Sequence, residues 1–503
     1  VLPSPDLGGK PLADVDYNDE RRFRALCVNH LRTESMHTFR FSTDLLREIT
    51  TRVDRLPEWK QTQFSERYFE VDAEFLSGAL TLKKMDEGLA VYLKAVFEDE
   101  RLVESTLREL ASRPSIDLRR PVPESDWTSW IRKPKSTLAE RGGEDYTLAV
   151  GEQVGICQRL FRNPLSVVTG PAGTGKTSVI EALVRAVRRT DGEGASMLVL
   201  APTGKAADRA REVFEVGGLP GIETATVHSF LASNGWLNKN LTFKREGGQT
   251  AEIGTFILDE ASMLDLSLSA ALLRAIDWRF VKRFILVGDP GQLPPIGRGR
   301  VFADLINWLD ADYPDSLGRL KRNLRQLGNK IEGNGSSIVG LSELFILDDK
   351  DKTVDGSDCT TSLEQEALIQ KIHAGGEVDR DLDIIYWDEP DQLAEILINA
   401  MEARMGGAAE APYQIWRDAL QGDPTAFQVL TPHRAEMHGV EALNEACQQR
   451  IAQRLISKVG AVDGITLGDK VIQVRNRPKS RRIWAYDSDS RQKVQVEVYN
   501  GEI

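Results

Sequence analysis

The sequence predicts an α/β protein built on parallel sheets and preceded by a mainly helical region. Three observations support this fold class. Short apolar runs alternate with helical stretches from residue 146 onward, these runs have the length of buried strands, and roughly the first 110 residues show one-sided helical spacing instead. The chain has 503 residues, which is long enough for more than one buried core.

Composition and charge exclude several classes of protein. The sequence is 41% hydrophobic and 28% charged with a net charge of −12, which is ordinary for a globular protein and excludes disorder along its whole length. Apolar runs stay well short of the ~20 residues that cross a bilayer, and the first ten residues lack the layout of a secretory signal. We therefore expect a cytoplasmic protein with no membrane partner. The cysteines, Cys27, Cys157, Cys359 and Cys447, are too far apart for a Cys-x-x-Cys site and are expected to be reduced and structural.

The first part of the chain is predicted to be a helical accessory domain over residues 1–113. Apolar residues over 42–56 and 89–111 recur at one-face helical intervals. Because this region contains no glycine loop or cluster of titratable residues, we expect it to dock a protein partner rather than to carry chemistry. Prolines then interrupt residues 114–145, which predicts a linker that packs against a neighbour through Trp127 and Trp130.

A first parallel-sheet domain is predicted over residues 146–326. Its strand candidates are Leu165–Thr169, Met197–Ala201, Thr255–Leu258 and 284–287. A polar insertion follows over 327–365, in which residues 351–362 lack the ligand pattern of a calcium loop and are predicted to be a surface insertion. A second, partial α/β domain is predicted over 366–503, running into a small β insertion and including a strand over 427–430.

The segment Gly170-Pro-Ala-Gly-Thr-Gly-Lys176-Thr177 has the spacing of a phosphate-binding loop, between a strand candidate and a one-sided helix. Its glycines let consecutive backbone N–H groups turn inward at a helix N-terminus, which attracts phosphate. We expect Lys176 to reach the β and γ phosphates of a nucleotide and the Thr177 hydroxyl to bind Mg²⁺. The residues expected to hold the nucleotide are Gly170, Gly173, Thr174, Gly175, Lys176 and Thr177.

Two adjacent acids, Asp259 and Glu260, follow the strand candidate Thr255–Leu258. Ligands of open α/β sheets bind at the carboxyl ends of the strands. We expect Asp259 to hold Mg²⁺ and Glu260 to polarise the attacking water. Together with the glycine loop, this pair predicts hydrolysis of a nucleoside triphosphate.

Several further segments resemble the RecD-like branch of the superfamily-1 helicases, which includes the exonuclease V alpha subunit, over residues 150–503 except 327–365. They are Asp259-Glu-Ala-Ser-Met263, Val287-Gly-Asp289-Pro-Gly-Gln292-Leu-Pro-Pro-Ile296, Ala201-Pro-Thr203-Gly-Lys205-Ala-Ala207 and Thr226-Val-His228. The resemblance implies a P-loop NTPase with two RecA-like domains, the second incomplete. It also implies an ATP-dependent DNA helicase that uses ATP and Mg²⁺ to move 5′ to 3′ on single-stranded DNA in DNA repair or recombination.

The resemblance assigns catalytic and nucleotide-binding roles to three more residues. Gln292 would hydrogen-bond the γ phosphate and the attacking water, and Gln153 would recognise the adenine edge. Arg325 would contact the γ phosphate from the second domain, so that ATP closes the two domains on each other.

Strand-end residues are the candidates for contact with single-stranded or forked DNA. Hydroxyls, backbone N–H groups and cations suit contacts with phosphates that ignore base identity. The candidates are Pro202, Thr203, Gly204, Lys205, Thr226, His228, Thr431 and His433. Residues 233–253 are expected to form a small β-hairpin with an aromatic tip, or a plain connecting loop. Because His433 and His438 are five residues apart, and not four as in a helical zinc pair, we expect no metal besides Mg²⁺.

The ends of the sequence differ from what the resemblance implies. Residue 1 is Val, the last residues form no helix cap or polar tail, and we expect a segment of a longer chain. Members of the family continue beyond the equivalents of 468–476 and 499–503 with a small β domain and two more motifs that this sequence does not contain. Their N-terminal helix-hairpin-helix module is not recognisable in residues 1–145. We therefore expect this 503-residue chain to bind ATP·Mg²⁺ weakly and not to unwind DNA.

Three alternatives remain open at this point. An RNA helicase of the same superfamily fits the same motifs, because contacts to the backbone alone need not exclude a 2′-hydroxyl. A nucleotide-gated interaction subunit without unwinding activity also fits. The third alternative is a P-loop kinase, which explains neither Gln292 nor the segments around Thr203 and His228.

Overall fold

The computed structural model describes residues 18–132, 136–238, 240–333, 335, 337–343, 363–404, 428–459, 483–487 and 492–496. The chain forms two compact units, Val1–Ile331 and Glu332–Ile503, and their boundary lies near the start of the predicted polar insertion. Within the described residues, every helix is too short or too polar to cross a membrane.

The N-terminal region consists of helices packed on a small antiparallel sheet. Its helices are α1 (Glu20–Thr33), α2 (Ser42–Val53), α3 (Arg67–Val71), α4 (Ala73–Leu76) and α5 (Lys94–Ser112), with a 3₁₀ turn at Glu58–Lys60. Its strands are β1 (Phe39–Phe41), β2 (Leu80–Met85) and β3 (Gly88–Leu93), in the order β1-β3-β2. The predicted helix over 42–56 is confirmed as α2, and Leu45, Ile49 and Val53 are buried on its inner face.

The prediction of one helix over 89–111 is wrong at its start, because residues 88–93 form strand β3. Ala90, Val91 and Tyr92 are all buried there, so both faces of the strand are covered. A short apolar run buried on both faces reads the same in a strand and in a helix. Pairing with β1 and β2 decides the outcome, and the helix begins only at Lys94.

The predicted proline linker contains helices of its own. These are α6 (Glu124–Ile131), α7 (Thr137–Arg141) and the start of α8 (Gly143–Leu160). Trp127 is 2% exposed, and its ring packs edge-on against Trp130 and Phe161. The expected packing against a neighbour is confirmed, and that neighbour is the sheet domain that follows.

A six-stranded parallel sheet forms the centre of the first unit, in the order β6-β5-β7-β8-β4-β9. Its strands are β4 (Leu165–Thr169), β5 (Met197–Ala201), β6 (Glu223–Thr226), β7 (Thr255–Leu258), β8 (Arg283–Gly288) and β9 (Leu317–Arg319). All the predicted strands of this domain are confirmed, and β6 and β9 are added at the two edges. Strands β4, β5, β7 and β8 are buried at every position, as expected for a sheet covered on both faces.

Helices cover the sheet and connect its strands. They are α8, α9 (Lys176–Asp191), α10 (Gly204–Val216), α11 (Val227–Ser233), α12 (Leu266–Arg274), α13 (Val301–Asp312) and α14 (Leu324–Glu332), with 3₁₀ turns at Ala261–Met263 and Pro314–Ser316. One apolar core lies under α11, α12 and α13, and a second lies under α8 and α9. The layers therefore fit an α/β fold of the doubly wound type.

Ion pairs of the buried Asp99 and a hydrogen bond of Arg298 join the N-terminal region to the sheet domain. Asp99 on α5 is 8% exposed and pairs with Arg274 on α12, and with Arg245 at 3.2 Å. Arg298 donates to the backbone carbonyl of Glu34 at 2.7 Å. The N-terminal region is thus packed onto the sheet domain as part of one compact unit.

The described parts of the second unit are helices and two antiparallel hairpins. The helices are α15 (Ser337–Glu343), α16 (Leu363–Ala374), α17 (Leu393–Arg404) and α18 (Val440–Val459). The hairpins pair β10 (Gly376–Asp379) with β11 (Leu382–Ile384), and β12 (Ile483–Asp487) with β13 (Gln492–Val496). Of the strand predicted over 427–430, residues 428–430 form no regular structure, and residue 427 lies outside the described residues. The surface insertion predicted at 351–362 also lies outside them.

The cysteines that the structure describes carry free thiols. Cys27 and Cys157 are buried, and Cys447 is partly buried. Burial raises the pKa of the Cys27 thiol to about 12, because a thiolate is poorly solvated there. Their burial agrees with the expected structural role, and Cys359 lies outside the described residues.

Candidate functional site

The candidate site lies at the carboxyl edge of the six-stranded sheet. Thr169 at the end of β4 pairs with Gly288 at the end of β8, and Leu258 at the end of β7 pairs with Leu286 of β8. The loops that follow these strands therefore lie side by side. The structure brings together the glycine loop, the Asp259-Glu260 pair and the Asp289–Gln292 turn, as the sequence predicts for parallel strands.

The glycine loop has the backbone shape of a phosphate cradle. Gly173 and Gly175 have φ angles of +89° and +88°, a left-handed conformation that side chains other than glycine rarely adopt. The 16-residue helix α9 begins directly after Gly175. The N-terminus of this helix therefore faces the loop with its unpaired N–H groups and the positive end of its dipole.

Lys176 lies over the loop from the first turn of α9. Its Nζ donates to the carbonyl oxygen of Gly170 at 2.6 Å and to that of Pro171 at 3.2 Å. Its positive charge also acts on the Asp259 carboxylate. The ammonium is thus placed between the loop and the acid pair, where phosphate oxygens would lie.

Gln153 supports the loop from helix α8. It is 2% exposed, and its Nε2 donates to the carbonyl of Thr174 at 2.8 Å. A Cβ atom at Gly175 would lie 2.3 Å from that Nε2. The amide therefore braces the loop, and the recognition of adenine by Gln153 stays a prediction.

The segment at the start of α14 covers the other side of the loop. Asn323 donates from Nδ2 to the carbonyl of Ala172 at 3.0 Å, and the backbone N–H of Leu324 donates to Gly173 O at 2.9 Å. The Asn323 side chain also accepts from the N–H groups of Arg325 and Gln326, both at 3.1 Å, and so caps the helix. No role was expected for Asn323 from the sequence. The pattern Asn-x-x-Gln at a helix start is the signal that would have found it.

Arg325 lies in the first unit, on the glycine loop itself. A Cβ atom at Gly173 would lie 2.7 Å from the Arg325 Cβ, and the Arg325 N–H approaches Gly173 O at 3.3 Å. The prediction that Arg325 reaches the γ phosphate from the second domain is therefore wrong about its origin. Helix α14 begins within the unit Val1–Ile331. The exposed Arg325 therefore extends from a position next to the phosphate cradle.

The acid pair has strong electrostatic features. Burial, together with the charge of Glu260, raises the pKa of Asp259 to about 6. Glu260 has a φ angle of +50°, which is strained for a residue with a side chain. Among the described residues, its Oε2 is buried without a hydrogen-bond partner. A buried carboxylate oxygen in this state is expected to accept a hydrogen bond from a bound water or ligand.

The loop after β8 is a tight turn around Asp289. Its Oδ1 accepts from the Gly291 N–H at 3.0 Å, and its carbonyl accepts from the Gln292 N–H at 3.2 Å. Asp289 is buried, whereas Gln292 and the next apolar residues Leu293 and Ile296 are exposed. The turn therefore places Gln292 in the loop that neighbours the glycine loop, and its sensing role stays a prediction. Asp289 itself was missed, although Asp-Pro-Gly is a turn signal in the sequence.

The predicted nucleic-acid contacts of the first unit lie at the far end of the same edge. Thr203 caps helix α10 by accepting from the Ala206 N–H at 3.3 Å, and Thr226 caps α11 by accepting from the Ser229 N–H at 3.0 Å. Pro202 and Gly204 flank the first of these caps, and the exposed Lys205 follows it. Both threonines have a structural role that the sequence analysis did not assign.

The His228 ring lies beside Phe243, with ring centroids 5.8 Å apart. Burial lowers its pKa below the ordinary value, and Asp265 opposes this effect. A neutral imidazole can stack on a base without a desolvated charge.

The expectation that residues 233–253 present an aromatic side chain at the tip of a hairpin is wrong. An isolated bridge pairs Leu237 with Phe243, but Trp236 is 6% exposed and donates from its indole to Gln249 O at 2.7 Å. Both aromatic residues pack on the core. The exposed apolar residue of this loop is Leu241, with a φ angle of +64°. The two rings pack on the apolar core and not at an exposed tip, because burying an aromatic side chain stabilises the fold by about 2 kcal/mol.

The remaining two candidates lie in the second unit. The Thr431 hydroxyl donates to the His438 carbonyl at 2.8 Å, and His433 is exposed. They lie on the turn before helix α18, not at the end of the predicted strand.

These residues fit a nucleoside triphosphate and a divalent cation. The cradle at Gly170, Gly173 and Gly175 excludes side chains, because an added Cβ would lie 2.6 Å or closer to a neighbouring atom at each of them. The buried, unpaired Oε2 of Glu260 and the Asp259 carboxylate supply oxygen ligands and acceptors of the kind that Mg²⁺ and its waters need. Thr177 and Asp259 would hold the cation, and Lys176 would bind the phosphates.

The parallel sheet, the glycine loop and the acid pair define an α/β P-loop NTPase fold. Residues 149–332 match the family model of an AAA domain. The chain is 29% identical over 432 residues to an uncharacterized protein of Methanocaldococcus jannaschii, a match that covers 81% of this chain and 35% of that protein. It is also 29% identical over 304 residues to the RecBCD enzyme subunit RecD of Mycolicibacterium smegmatis, covering 58% of this chain and 48% of that subunit.

A further relative is the ATP-dependent DNA helicase dda of Enterobacteria phage T4, 33% identical over 135 residues, covering 26% of this chain and 28% of the helicase. Over these parts of its length the chain is thus similar to RecD subunits and to a DNA helicase. It spans between about a third and a half of the length of the first two relatives.

Proposed function

We propose that the protein is an ATP-dependent DNA helicase of the RecD-like type, which couples ATP hydrolysis to 5′ to 3′ movement on single-stranded DNA in the cytoplasm, in repair or recombination. The relatives named RecD and DNA helicase support this class. The observation that carries the proposal is the position of the acid pair beside the phosphate cradle. Lys176 acts electrostatically on Asp259, and Glu260 holds a buried, unpaired carboxylate oxygen next to it.

The side chains of the site divide the chemistry between them. A bound triphosphate with its Mg²⁺ supplies the phosphoryl group and most of the charge neutralisation. Glu260 orients the attacking water and takes its proton at Oε2, while Lys176 stabilises negative charge on the phosphate oxygens. Arg325, on the loop itself, adds a second cation whose position depends on helix α14.

A change of nucleotide state at the site can move the neighbouring strand-end loops, and these loops lead along the sheet edge to the proposed DNA contacts. The Gln292 turn follows β8, the acid pair follows β7, and Thr203 follows β5, which is the next strand. Thr203 and Lys205 at the start of α10, with His228 on α11, would hold the sugar-phosphate backbone. Thr431 and His433 would add contacts from the second unit, and the N-terminal region offers a surface for a protein partner.

The nucleotide site is tested with a Lys176→Ala variant of the 503-residue chain. We expect weak ATP·Mg²⁺ binding by the native chain, at least about tenfold weaker binding by the variant, and unchanged binding by the exposed control Lys83→Ala. The measurement is equilibrium binding of a fluorescent ATP analogue, with circular dichroism to confirm folding. Equal affinity of Lys176→Ala and the native chain would refute the assignment of the site.

The activity is tested with the 503-residue chain and with the whole product of its gene. For the whole gene product we expect ATPase stimulation by single-stranded DNA and unwinding of forks that carry a 5′ tail. For the 503-residue chain we expect no unwinding. Stronger stimulation by RNA would favour the RNA helicase. Unimpaired cellular function of a Lys176→Ala protein would favour a nucleotide-gated interaction subunit.

A further inference from the structure

The turn before helix α18 brings three possible metal ligands together. They are Nδ1 or Nε2 of His433 and of His438 and a carboxylate oxygen of Glu436, with one atom of each within 4.8 Å of the others. All three residues lie on a single turn of the second unit. This turn is separate in the sequence from every residue of the nucleotide site.

The Glu436 carboxylate lies between the two imidazoles. Its Oε2 is 3.0 Å from His438 Nε2, and its Oε1 is 3.9 Å from His433 Nδ1. The two rings are nearly perpendicular, with centroids 4.6 Å apart. In a tetrahedral site with metal–nitrogen bonds of about 2.0 to 2.1 Å, ligand atoms are roughly 3.3 Å apart. The three donors therefore need to approach each other by no more than about 1.5 Å, which side-chain rotation alone can provide.

The backbone holds the turn in the required shape without a metal. The Thr431 hydroxyl donates to His438 O at 2.8 Å, and the Val440 N–H donates to His433 O at 3.0 Å. The Gly439 N–H donates to Glu436 O at 2.7 Å. A Cβ atom at position 439 would lie 2.7 Å from the Arg434 carbonyl, so this close turn requires glycine. Each of the three candidate ligands, or a residue next to it, is thus positioned by the backbone, which lowers the entropy cost of binding an ion.

We propose that His433, Glu436 and His438 bind a divalent transition-metal ion of the zinc class, with a fourth position open to water or another ligand. Two imidazoles and a carboxylate are a known three-ligand set for Zn²⁺, and imidazole ligands select Zn²⁺, Cu²⁺ or Ni²⁺ over Mg²⁺. The expectation of no metal besides Mg²⁺ rested on the five-residue spacing of the histidines. That spacing excludes a pair on one helix face, but these residues lie on a turn, where helical periodicity does not apply.

The affinity is expected to be moderate. Metal-binding histidines usually donate their second ring nitrogen to a carboxylate or carbonyl. The Nδ1 of His438 is buried and has no hydrogen-bond partner among the described residues. We therefore expect Zn²⁺ to bind about 10- to 100-fold more weakly than at a site whose histidines have such partners.

The site is tested by titrating the EDTA-treated, dialysed 503-residue chain with Co²⁺ and then displacing Co²⁺ with Zn²⁺, in excess Mg²⁺. We expect one equivalent of Co²⁺ with the intense visible absorption of a four-coordinate ion. The variants His433→Gln and His438→Gln should each weaken binding by at least about tenfold. Circular dichroism checks folding, and Glu436→Gln, a change at an exposed side chain, provides a second test if a histidine variant misfolds.

Two control variants separate this site from other metal-binding side chains. His373→Gln removes an exposed histidine elsewhere in the second unit, and Cys447→Ser removes a partly buried thiol on α18. Both should bind Co²⁺ like the native chain. Absence of a cobalt spectrum, or a spectrum that depends on Cys447 and not on the two histidines, would overturn the proposal. The titration contains no nucleotide or nucleic acid, so its result is independent of the proposed helicase function.

Discussion

At the scale of single residues, Asp259 shows how the site is prepared for a cation at a cost in stability. Its pKa in the folded protein is about 6, above the ordinary value of 3.8, because burial and the neighbouring Glu260 disfavour the charged form. Between these two values the folded state binds more protons than the unfolded state. The free energy of unfolding therefore falls as pH rises from about 4 to about 6.

We expect Asp259→Asn to stabilise the nucleotide-free protein at pH 7 by about 1 to 3 kcal/mol, because it removes a charge that the fold disfavours. The gain should shrink towards pH 4, where the native carboxyl is also neutral. Urea unfolding at pH 4, 5, 6 and 7 measures both effects. A variant that is no more stable than the native chain at pH 7 would show that the Asp259 charge is not destabilising.

Adding ATP·Mg²⁺ should raise the free energy of unfolding of the native protein but not that of Asp259→Asn, because the bound cation compensates the charge of the Asp259 carboxylate. The difference in stability between the two proteins should then disappear.

At the scale of elements, the junction between β4 and α9 depends on glycines for two different reasons. Gly175 has a left-handed φ of +88° and also lies against Gln153. Gly192, at the other end of α9, has a φ of +100° with open space where a Cβ would lie. The two positions separate backbone strain from steric contact within one helix.

We expect Gly175→Ala to destabilise the protein by about 2 to 4 kcal/mol, from the left-handed backbone and the 2.3 Å contact with Gln153 Nε2. The control Gly192→Ala meets no neighbouring atom and should cost about 1 to 3 kcal/mol from the backbone alone, because its φ of +100° and ψ of 163° are nearly confined to glycine. Thermal and urea unfolding measure the two values. Equal losses for the two variants would mean that the contact with Gln153 is relieved without cost.

At the scale of the whole molecule, the N-terminal region is joined to the sheet domain by a shared apolar core, which includes Val103 and Leu107 of α5, and by the ion pairs of Asp99. Asp99 pairs with both Arg245 and Arg274, and the neighbouring Glu98 pairs with Arg245 from an exposed position. Arg283 on β8 shows the same arrangement inside the sheet domain. It is fully buried and pairs with Asp191 at 2.9 Å over the face of Phe161.

We expect Asp99→Ala to destabilise the protein by about 2 to 4 kcal/mol, because the largely buried Arg274 is left without its partner. The adjacent control Glu98→Ala should cost less than about 0.5 kcal/mol, since its pair is exposed to solvent. Urea unfolding followed by tryptophan fluorescence measures both. Similar values for the two variants would argue against Asp99 as the main ionic link between the N-terminal region and the sheet domain.

The glycine loop and the acid pair could be found from the sequence because their chemistry depends on consecutive residues. The spacing from Gly170 to Thr177 sets the backbone shape locally, and Asp259 and Glu260 follow a strand whose burial shows in its apolar run. Strand β3 could not be distinguished from a helix, because its identity depends on pairing with β1 and β2. The positions of Trp236 and Phe243 could not be predicted either, because their packing on the core depends on residues distant in the sequence.

By itself, the sequence determined the α/β class, the strands that carry the candidate site and the glycine loop, because short-range spacing controls each of them. Only the tertiary structure decided that Arg325 approaches the loop from the first unit, that Gln153 and Asn323 brace it, and that His433, Glu436 and His438 converge. The physical reason is that side-chain partners distant in the sequence, and turns without a period, are specified by packing and hydrogen bonding across the fold.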